Sequence, residues 1–293
     1  MSSFSATARK PFRLFTWIFA AVVLAVLAVI VFYHRELHPP THLPAAGSRE
    51  RGWLEAHVSV LAVTPEHEEL RLRMSFTPRG ALDRGAGVLS RVVRLHADAV
   101  GWDEVDLAEG RRIFPHDITL DLTDGEPVDY PFDRYVAELD LLAEIDDEDG
   151  KRPIPVDLTF DDSHHGFRFR THPLPADDHG YGGFKVELER SGLVLGLAIF
   201  LMMLAWGVSY VSLRLLSLVL EGSIDVNLDM FVAFTGLLVG MYFFRSVLPE
   251  LPPISGTLAD FLAFLWAEIT AALGTVAVGV VWTRRESRNE SQK

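Results

Sequence analysis

The chain has 293 residues, of which 49% are hydrophobic, and its formal net charge is −13 at pH 7. Most of the acid lies in residues 34–191, where 32 Asp and Glu stand against 18 Lys and Arg, and all 11 histidines fall in the same segment. Such a surface repels phosphate backbones, which argues against a nucleic-acid partner. The absence of cysteine excludes disulfides, thiolate nucleophiles and thiolate metal sites.

The first predicted element is an apolar run over residues 14–33. About 20 apolar residues are enough to cross the roughly 30 Å hydrocarbon core of a bilayer. Because basic residues precede the run and polar residues follow it at once, we expect an uncleaved signal anchor with residues 1–13 in the cytoplasm. The alternative is a secretory signal peptide cleaved at Ala46. The basic residues are Arg9, Lys10 and Arg13.

Residues 34–191 form the next predicted unit, in which apolar and polar residues alternate along short stretches. A period of two is typical of a strand that buries one face. About eight such strands without a long helical pattern predict an antiparallel β-sandwich. The stretches are 54–62, 70–76, 88–97, 118–122, 135–143, 154–160, 167–169 and 184–188.

Three loops of this unit, at 146–150, 161–165 and 177–179, are rich in acidic residues, and the last two also contain His. None has the alternating ligand spacing of an EF-hand, so we expect solvated hairpin tips and no metal. The alternative is a divalent ion held where two loops converge. The sequence contains none of the motifs typical of serine hydrolases, zinc proteases, nucleotide-binding loops or dinucleotide-binding folds. We therefore expect no cofactor and no enzymatic activity.

Three further apolar runs are predicted to span the membrane, at residues 192–213, 230–247 and 258–282. Together with the first run they make four crossings, which places both termini on one side. The tail at 283–293 is basic, as is the N-terminal tail, and basic flanks are typical of the cytoplasmic side. The sequence therefore predicts a multi-pass plasma-membrane protein whose sandwich lies outside the cytoplasm.

A carboxylate, Glu268, lies inside the last apolar run. An ionisable side chain in hydrocarbon must be paired, hydrated or protonated, which makes it the first candidate for function. On a helical wheel Glu268 shares a face with Ala272, Thr275 and Gly279, and Ala271 lies alongside. Because these residues are small or polar, we expect this face to point into the helix bundle.

Arg245, near the outer end of the preceding run, is the nearer candidate counter-charge for Glu268. We expect an ion pair between them that fastens the bundle, and Gly236 and Gly240 could supply a close-packed partner face. The alternative is a proton or ion relay through Glu268. Asp260 and Thr275 complete the set of candidate intramembrane polar residues.

The sequence Tyr130-Pro131-Phe132-Asp133 precedes one of the predicted strands. It resembles a signature of pentameric ligand-gated ion channels, which also join a β-sandwich to membrane helices. Those channels have four helices after the sandwich, whereas here one run precedes it and three follow. In physical terms, we expect a proline-fixed turn with flanking aromatic residues that packs a strand onto the sandwich.

Three segments carry a second resemblance: the same turn extended to Tyr135, the outer loop at 248–253, and Asp260 followed by 264–268. In these segments, and in its layout over nearly the whole length, the chain resembles the domain-of-unknown-function family 4436, a group of uncharacterised bacterial membrane proteins. The resemblance implies a protein of the bacterial cell envelope. It transfers no activity, substrate or catalytic residue.

We therefore expect an integral membrane protein of the cell envelope whose sandwich acts as a binding, sensing or scaffold module. The alternative is a transport or channel subunit that uses Glu268, and an envelope enzyme is the third. The expected partners are the lipid bilayer and other envelope or membrane proteins, a second copy of this chain among them.

Overall fold

The computed structural model describes residues 31, 40–44, 47–147, 150–161, 166–174, 182–254 and 256–290. Over this part of the chain, two β-sheets are followed by three long apolar helices. This confirms a β-sandwich followed by three candidate spans. The predicted first span and the tail before it lie outside the described residues apart from Val31, as do most of the acidic loops at 161–165 and 177–179.

In the part of the chain that the structure describes, eleven strands form the sandwich, more than the eight that alternation predicts. They are β1 (Thr41–Leu43), β2 (Trp53–Thr64), β3 (Glu69–Arg79), β4 (Val93–Ala99), β5 (Trp102–Leu107), β6 (His116–Asp121), β7 (Arg134–Asp147), β8 (Gly150–Ile154), β9 (Val156–Asp161), β10 (Phe167–Leu174) and β11 (Gly182–Arg190).

One sheet has the strand order β1-β9-β2-β3-β6 and the other has β10-β11-β7-β4-β5, with β8 paired to β7. Every strand pair is antiparallel except β2 and β9, which run parallel. The prediction of a purely antiparallel sandwich is therefore wrong for this pair. The chain leaves one sheet after β8 and crosses at Pro155 into the other, so β9 joins β2 without a hairpin to set its direction.

The core lies between the two sheets and is built from the inward residues of each strand. Leu54, Ala56 and Val58 of β2 are at most 1% exposed, as the alternation predicts. Aromatic rings cross the layer, since the ring of Phe160 in β9 lies 5.6 Å from that of Phe184 in β11. Each sheet therefore presents an apolar face to the other.

The helices are α1 (Gly192–Leu220), α2 (Leu228–Ser246) and α3 (Leu265–Glu290), and a π-helical turn over Asp260–Phe264 leads into α3. Each of the three is long and apolar enough to cross a membrane. α3 packs along both other helices, while α1 and α2 touch each other little.

The sandwich runs directly into the helices. β11 ends at Arg190 and α1 begins at Gly192, with only Ser191 between them. The Ser191 hydroxyl accepts a hydrogen bond from the Val194 N–H at 3.3 Å and so caps α1. The backbone N–H of Ser191 donates to the carbonyl of Gly166 at 3.1 Å.

We call the end of the sandwich at Ser191 the helix-proximal end and the opposite end the distal end.

Candidate functional site

The predicted turn Tyr130-Pro131-Phe132-Asp133 lies at the helix-proximal end, where it leads into β7. The Asp133 carboxylate faces the guanidinium of Arg190 at the end of β11. The Arg190 Nε donates to Oδ1 at 2.9 Å and Nη2 donates to Oδ2 at 2.8 Å. The side chains are 3% exposed for Arg190 and 0% for Asp133, so this is a buried, two-pronged ion pair.

Other groups satisfy the remaining donors and acceptors of this pair. The Tyr135 hydroxyl donates to the Asp133 Oδ2 at 2.8 Å. The Arg190 Nη1 donates to the carbonyl of Glu250, in the loop between α2 and α3, at 2.9 Å. The guanidinium also lies 4.3 Å from the ring centre of Phe167. A buried charge pair tolerates its desolvation only with such supplementary bonds.

Tyr130 adds a second link between the sandwich and the α2–α3 loop. Its hydroxyl donates to the carbonyl of Pro249 at 2.7 Å, and its carbonyl accepts from the Ala259 N–H at 3.1 Å. Burial raises the pKa of Tyr130 and of Tyr135 well above the ordinary value, so both hydroxyls keep the protons they donate. We call the side chains of Tyr130, Asp133, Tyr135 and Arg190, with the carbonyls of Pro249 and Glu250, the junction clasp.

The register of two strands explains how the clasp forms. Phe184, Val186 and Leu188 of β11 point into the core, and the next inward position is Arg190. Tyr135 occupies an inward position of β7 in the same way, two residues after Asp133. Sequence analysis selected the turn but missed Arg190. The available signal was an arginine at an inward position of an alternating strand, which requires a carboxylate partner.

A second ion pair lies beside the clasp, at the ends of the helices. The Arg245 Nη2 donates to the Asp260 Oδ2 at 2.8 Å, and Nε donates to Oδ1. The Thr257 N–H also donates to Oδ2, at 2.9 Å, so Asp260 holds the loop before α3 as well. The structure thus brings together two of the predicted intramembrane residues.

The expected pairing of Arg245 with Glu268 is not the one that forms, since Arg245 pairs with Asp260. Asp260 precedes Glu268 by eight residues, which is about 12 Å along a helix, and it lies nearer the loop that Arg245 contacts. Glu268 is half-buried, and within the described residues its side chain has no hydrogen bond or ion pair. Thr275 is also half-buried and donates to the carbonyl of Ala271 in its own helix at 2.9 Å.

The face of α3 that packs inside the bundle differs from the predicted one. Ala271, at the edge of the predicted face, is buried together with Ala267, Gly274 and Val278. The other residues of the predicted face are only half-buried: Glu268, Ala272, Thr275 and Gly279. The buried face of α3 is rotated from the predicted face by one residue, which is about 100° around the helix axis. The cause is Gly274, where a Cβ would lie 2.2 Å from a ring carbon of Phe234 in α2. That aromatic ring therefore packs directly on the glycine.

The two glycines predicted to provide a close-packed face do not do so. A Cβ built at Gly236 or Gly240 meets no atom of the described residues within 4 Å. Both residues line an apolar cleft of about 420 Å³ between α1 and α2. A G-x-x-x-G spacing shows that helices could approach closely, but large neighbouring side chains decide whether they do.

A larger cleft, of about 650 Å³, opens between the two sheets at the distal end. It lies where the chain crosses from β8 to β9, and Leu141 of β7 and Gly183 of β11 form part of its floor. Four prolines line it as well: Pro44, Pro153, Pro155 and Pro173. Its volume falls in the range of roughly 300–1,000 Å³ that is typical of small-molecule sites.

Among the residues that the structure describes, no group of three or more His, Asp or Glu side chains could hold a metal ion. The acidic loops that raised this alternative lie largely outside those residues. The described side chains therefore offer no metal centre, and the clasp and the distal cleft are the two features with chemistry of their own.

Comparisons with protein families divide the chain at the clasp. Residues 44–188 match the model of a domain of unknown function, DUF4436. Residues 190–285 match a second domain of unknown function, DUF8686. The resemblance expected over nearly the whole chain is therefore confined to the sandwich, and the helices match a separate family. A search of curated proteins found no match.

The boundary between the two matches falls at Glu189, next to Arg190. Asp133 and Tyr135 lie in the first matched segment, while Arg190, Pro249 and Glu250 lie in the second. The clasp thus joins the two matched segments. Neither family description names an activity, so function must be argued from the geometry.

Proposed function

We propose that this protein is an integral membrane protein of the cell envelope whose sandwich is an extracytoplasmic binding and sensing module, coupled to the helices by the junction clasp. The observation that carries this proposal is the buried Arg190–Asp133 pair and its bond to the Glu250 carbonyl. In this topology both termini are cytoplasmic, and the α2–α3 loop lies on the same side as the sandwich.

The buried ion pair joins the start of β7 to the end of β11, and the same guanidinium binds the Glu250 carbonyl of the α2–α3 loop. Its attraction must first offset the cost of removing two charges from water, so it contributes little net stability compared with apolar packing. The pair instead contributes a defined geometry, because the planar guanidinium binds the carboxylate in one arrangement. The clasp therefore fixes the orientation of the sandwich on the helix ends, which a sensor requires and a passive tether does not.

The same two strands connect the distal cleft with the clasp. β7 has Leu141 in the cleft and begins next to Asp133, while β11 has Gly183 in the cleft and ends at Arg190. The two strands pair along this whole length, which is about 25 Å for eight residues. A ligand that shifts β11 against β7 at the cleft therefore shifts Arg190 against Asp133.

Affinity purification of the full-length protein from native membranes tests this proposal. Among the described residues, a Cβ at Gly182, which lines the cleft, meets nothing within 4 Å, so Gly182→Leu should occupy the cleft while the domain still folds. We expect a molecule or protein that co-purifies with the wild type to be lost from this variant. Gly236→Leu, the same change at an open glycine of α2, is the matched control. Equal recovery from Gly182→Leu and wild type would refute a binding role for the cleft.

A transport or channel role through Glu268 is the second candidate. The observation in its favour is that this half-buried carboxylate has no ion pair among the described residues, although it lies in a candidate span. Such a role predicts that Glu268→Gln abolishes a proton or ion flux in liposomes and leaves the amount of folded protein unchanged. An unchanged flux would exclude it.

A further inference from the structure

Arginines are concentrated on the outer face of the sandwich at its helix-proximal end. Arg168 of β10, Glu189 of β11 and Arg134 of β7 stand in one row across three paired strands. The Glu189 carboxylate lies 3.5 Å from the Arg134 Nε and 3.4 Å from Nη2 of Arg170. Two arginines therefore share a single carboxylate.

The charge of this face is opposite to that of the rest of the sandwich. Three arginines stand here against Glu187 and Glu189, whereas acidic residues outnumber basic ones 32 to 18 over residues 34–191. Arg134 is 75% exposed and Arg170 is 52% exposed, so their guanidinium groups remain accessible despite the shared carboxylate. The arginines of this face therefore outnumber the two carboxylates beside them by one.

The height of this row above the membrane can be estimated from the number of residues between Glu189 and the uncharged stretch of α1. Residues 193–213 contain no charged residue. At 1.5 Å per residue they span about 32 Å, so the hydrocarbon begins close to Leu193. Glu189 precedes that point by four residues, which places the row roughly 10 to 13 Å above the hydrocarbon. Long arginine side chains can reach from there into the headgroup layer, which is roughly 5 to 7 Å thick on each side.

An exposed aromatic ring lies at the same level. Phe132, in the turn before β7, is 49% exposed although its neighbours Pro131 and Asp133 are buried. It precedes Arg134 by two residues. Aromatic residues are enriched where proteins meet the membrane–water interface, and arginine binds phosphate through two parallel hydrogen bonds.

We propose that Phe132, Arg134, Arg168 and Arg170 form a headgroup face that binds the phosphate groups of phospholipids in the leaflet beneath the sandwich. Arg134 and Arg168 donate to the phosphates, and the exposed ring of Phe132 contacts the headgroup layer beside them. The excess positive charge favours anionic phospholipids over zwitterionic ones. This inference depends on the membrane placement of the helices and is independent of any ligand in the distal cleft.

The test uses full-length protein, purified in detergent, stripped of lipid and titrated with short-chain phosphatidylglycerol or phosphatidylcholine. Native mass spectrometry counts bound lipid, and thermal unfolding measures the stabilisation. We expect phosphatidylglycerol to bind more tightly than phosphatidylcholine. The double variant Arg134→Gln/Arg168→Gln should bind phosphatidylglycerol about tenfold more weakly, and added salt should weaken wild-type binding.

The matched control is Arg79→Gln, because Arg79 is 47% exposed and ion-paired but lies at the distal end. Equal lipid binding by the double variant and wild type would overturn the proposal, as would an equal loss in Arg79→Gln. Protection by inorganic phosphate as strong as that by lipid would show a free-anion site instead. Phe132→Ser provides a second variant that leaves the charges intact and should also weaken binding. If the protein were released from membranes by alkaline carbonate alone, the membrane placement itself would fail, which is a separate result.

Discussion

Arg190 and Asp133 form an ion pair that is almost completely closed to water, although Arg190 ends the strand that leads out of the sandwich into α1. Arg190 is the last residue of β11, and Asp133 immediately precedes β7. Removing either partner leaves the other as an uncompensated buried charge. The energetic consequence is therefore larger than the net contribution of the intact pair.

We expect Arg190→Gln or Asp133→Asn to lower the free energy of unfolding of the protein in detergent by about 3 to 5 kcal/mol. The measurement is denaturant unfolding followed by tryptophan fluorescence. The exposed pair between Arg79 and Glu55 supplies the control, since its side chains are 47% and 44% exposed. Arg79→Gln should cost no more than about 1 kcal/mol. Similar losses in the two sets would mean that the clasp is not a buried pair.

The clasp tyrosines predict a dependence on alkaline pH. The folded-state pKa of Tyr135 lies above the value of about 10 for an unfolded tyrosine, first because of burial and then because of the Asp133 charge. The resulting stability is fully present below pH 10 and is lost as the pH rises further, because the unfolded chain releases this proton first. Tyr135→Phe should therefore show a smaller fall in melting temperature between pH 9.5 and 11, by about a degree or more. Parallel curves for variant and wild type would contradict this.

The packing of Gly274 against Phe234 predicts that a single added methyl group disrupts the bundle. Phe234 is only 1% exposed, so its ring has no free space into which to move. Gly274→Ala should destabilise the helices by about 1 to 3 kcal/mol. Gly240→Ala adds the same methyl group where no described residue lies within 4 Å, and it should be tolerated. Thermal unfolding followed by circular dichroism compares the two, and equal stability of both variants would refute the close contact.

Asp260 and Glu268 are both carboxylates of the last candidate span, and among the residues that the structure describes hydrogen bonds are seen for Asp260 and not for Glu268. Asp260→Ala breaks the ion pair with Arg245 and the bond to the Thr257 N–H, and should cost about 1 to 3 kcal/mol. Glu268→Gln should change the free energy of unfolding by less than about 0.5 kcal/mol. A larger loss in Glu268→Gln than in Asp260→Ala would restore Glu268 as the fastening residue. Unfolding in the same detergent measures both.

The sandwich could be predicted from the sequence because alternation directly reports which side chains are buried. Leu70, Leu72 and Met74 illustrate this, since all three are fully buried. Alternation carries no information about the neighbour of a strand or its direction, and for this reason the parallel pairing of β2 with β9 was missed. A crossing at Pro155 joins strands in different sheets, and no local pattern records it.

The sequence indicated several individual residues of the site, but it did not indicate which residues pair with each other. Tyr130, Asp133, Arg245 and Asp260 were all selected, but their partners depend on contacts between residues far apart in the chain. Arg190 lies 57 residues from Asp133, and a wheel drawn on one helix cannot show that Phe234 of another occupies the space beside Gly274. The clasp required the register of β7 and β11, which only the assembled sheet provides.

The sandwich is held to the helices in two ways at one end. β11 continues through Ser191 into α1, and beside that connection Tyr130 and Arg190 hold the carbonyls of the α2–α3 loop. A domain attached at one point can rotate about any axis through that point. With a second attachment, the sandwich can only tilt about the line that joins the two attachment points. A sideways force on the distal end would therefore tilt the sandwich about this line. The tilt would move α1 and the α2–α3 loop in opposite directions, one away from the membrane and the other toward it. Because α3 packs along both other helices, it would experience the difference between these two displacements.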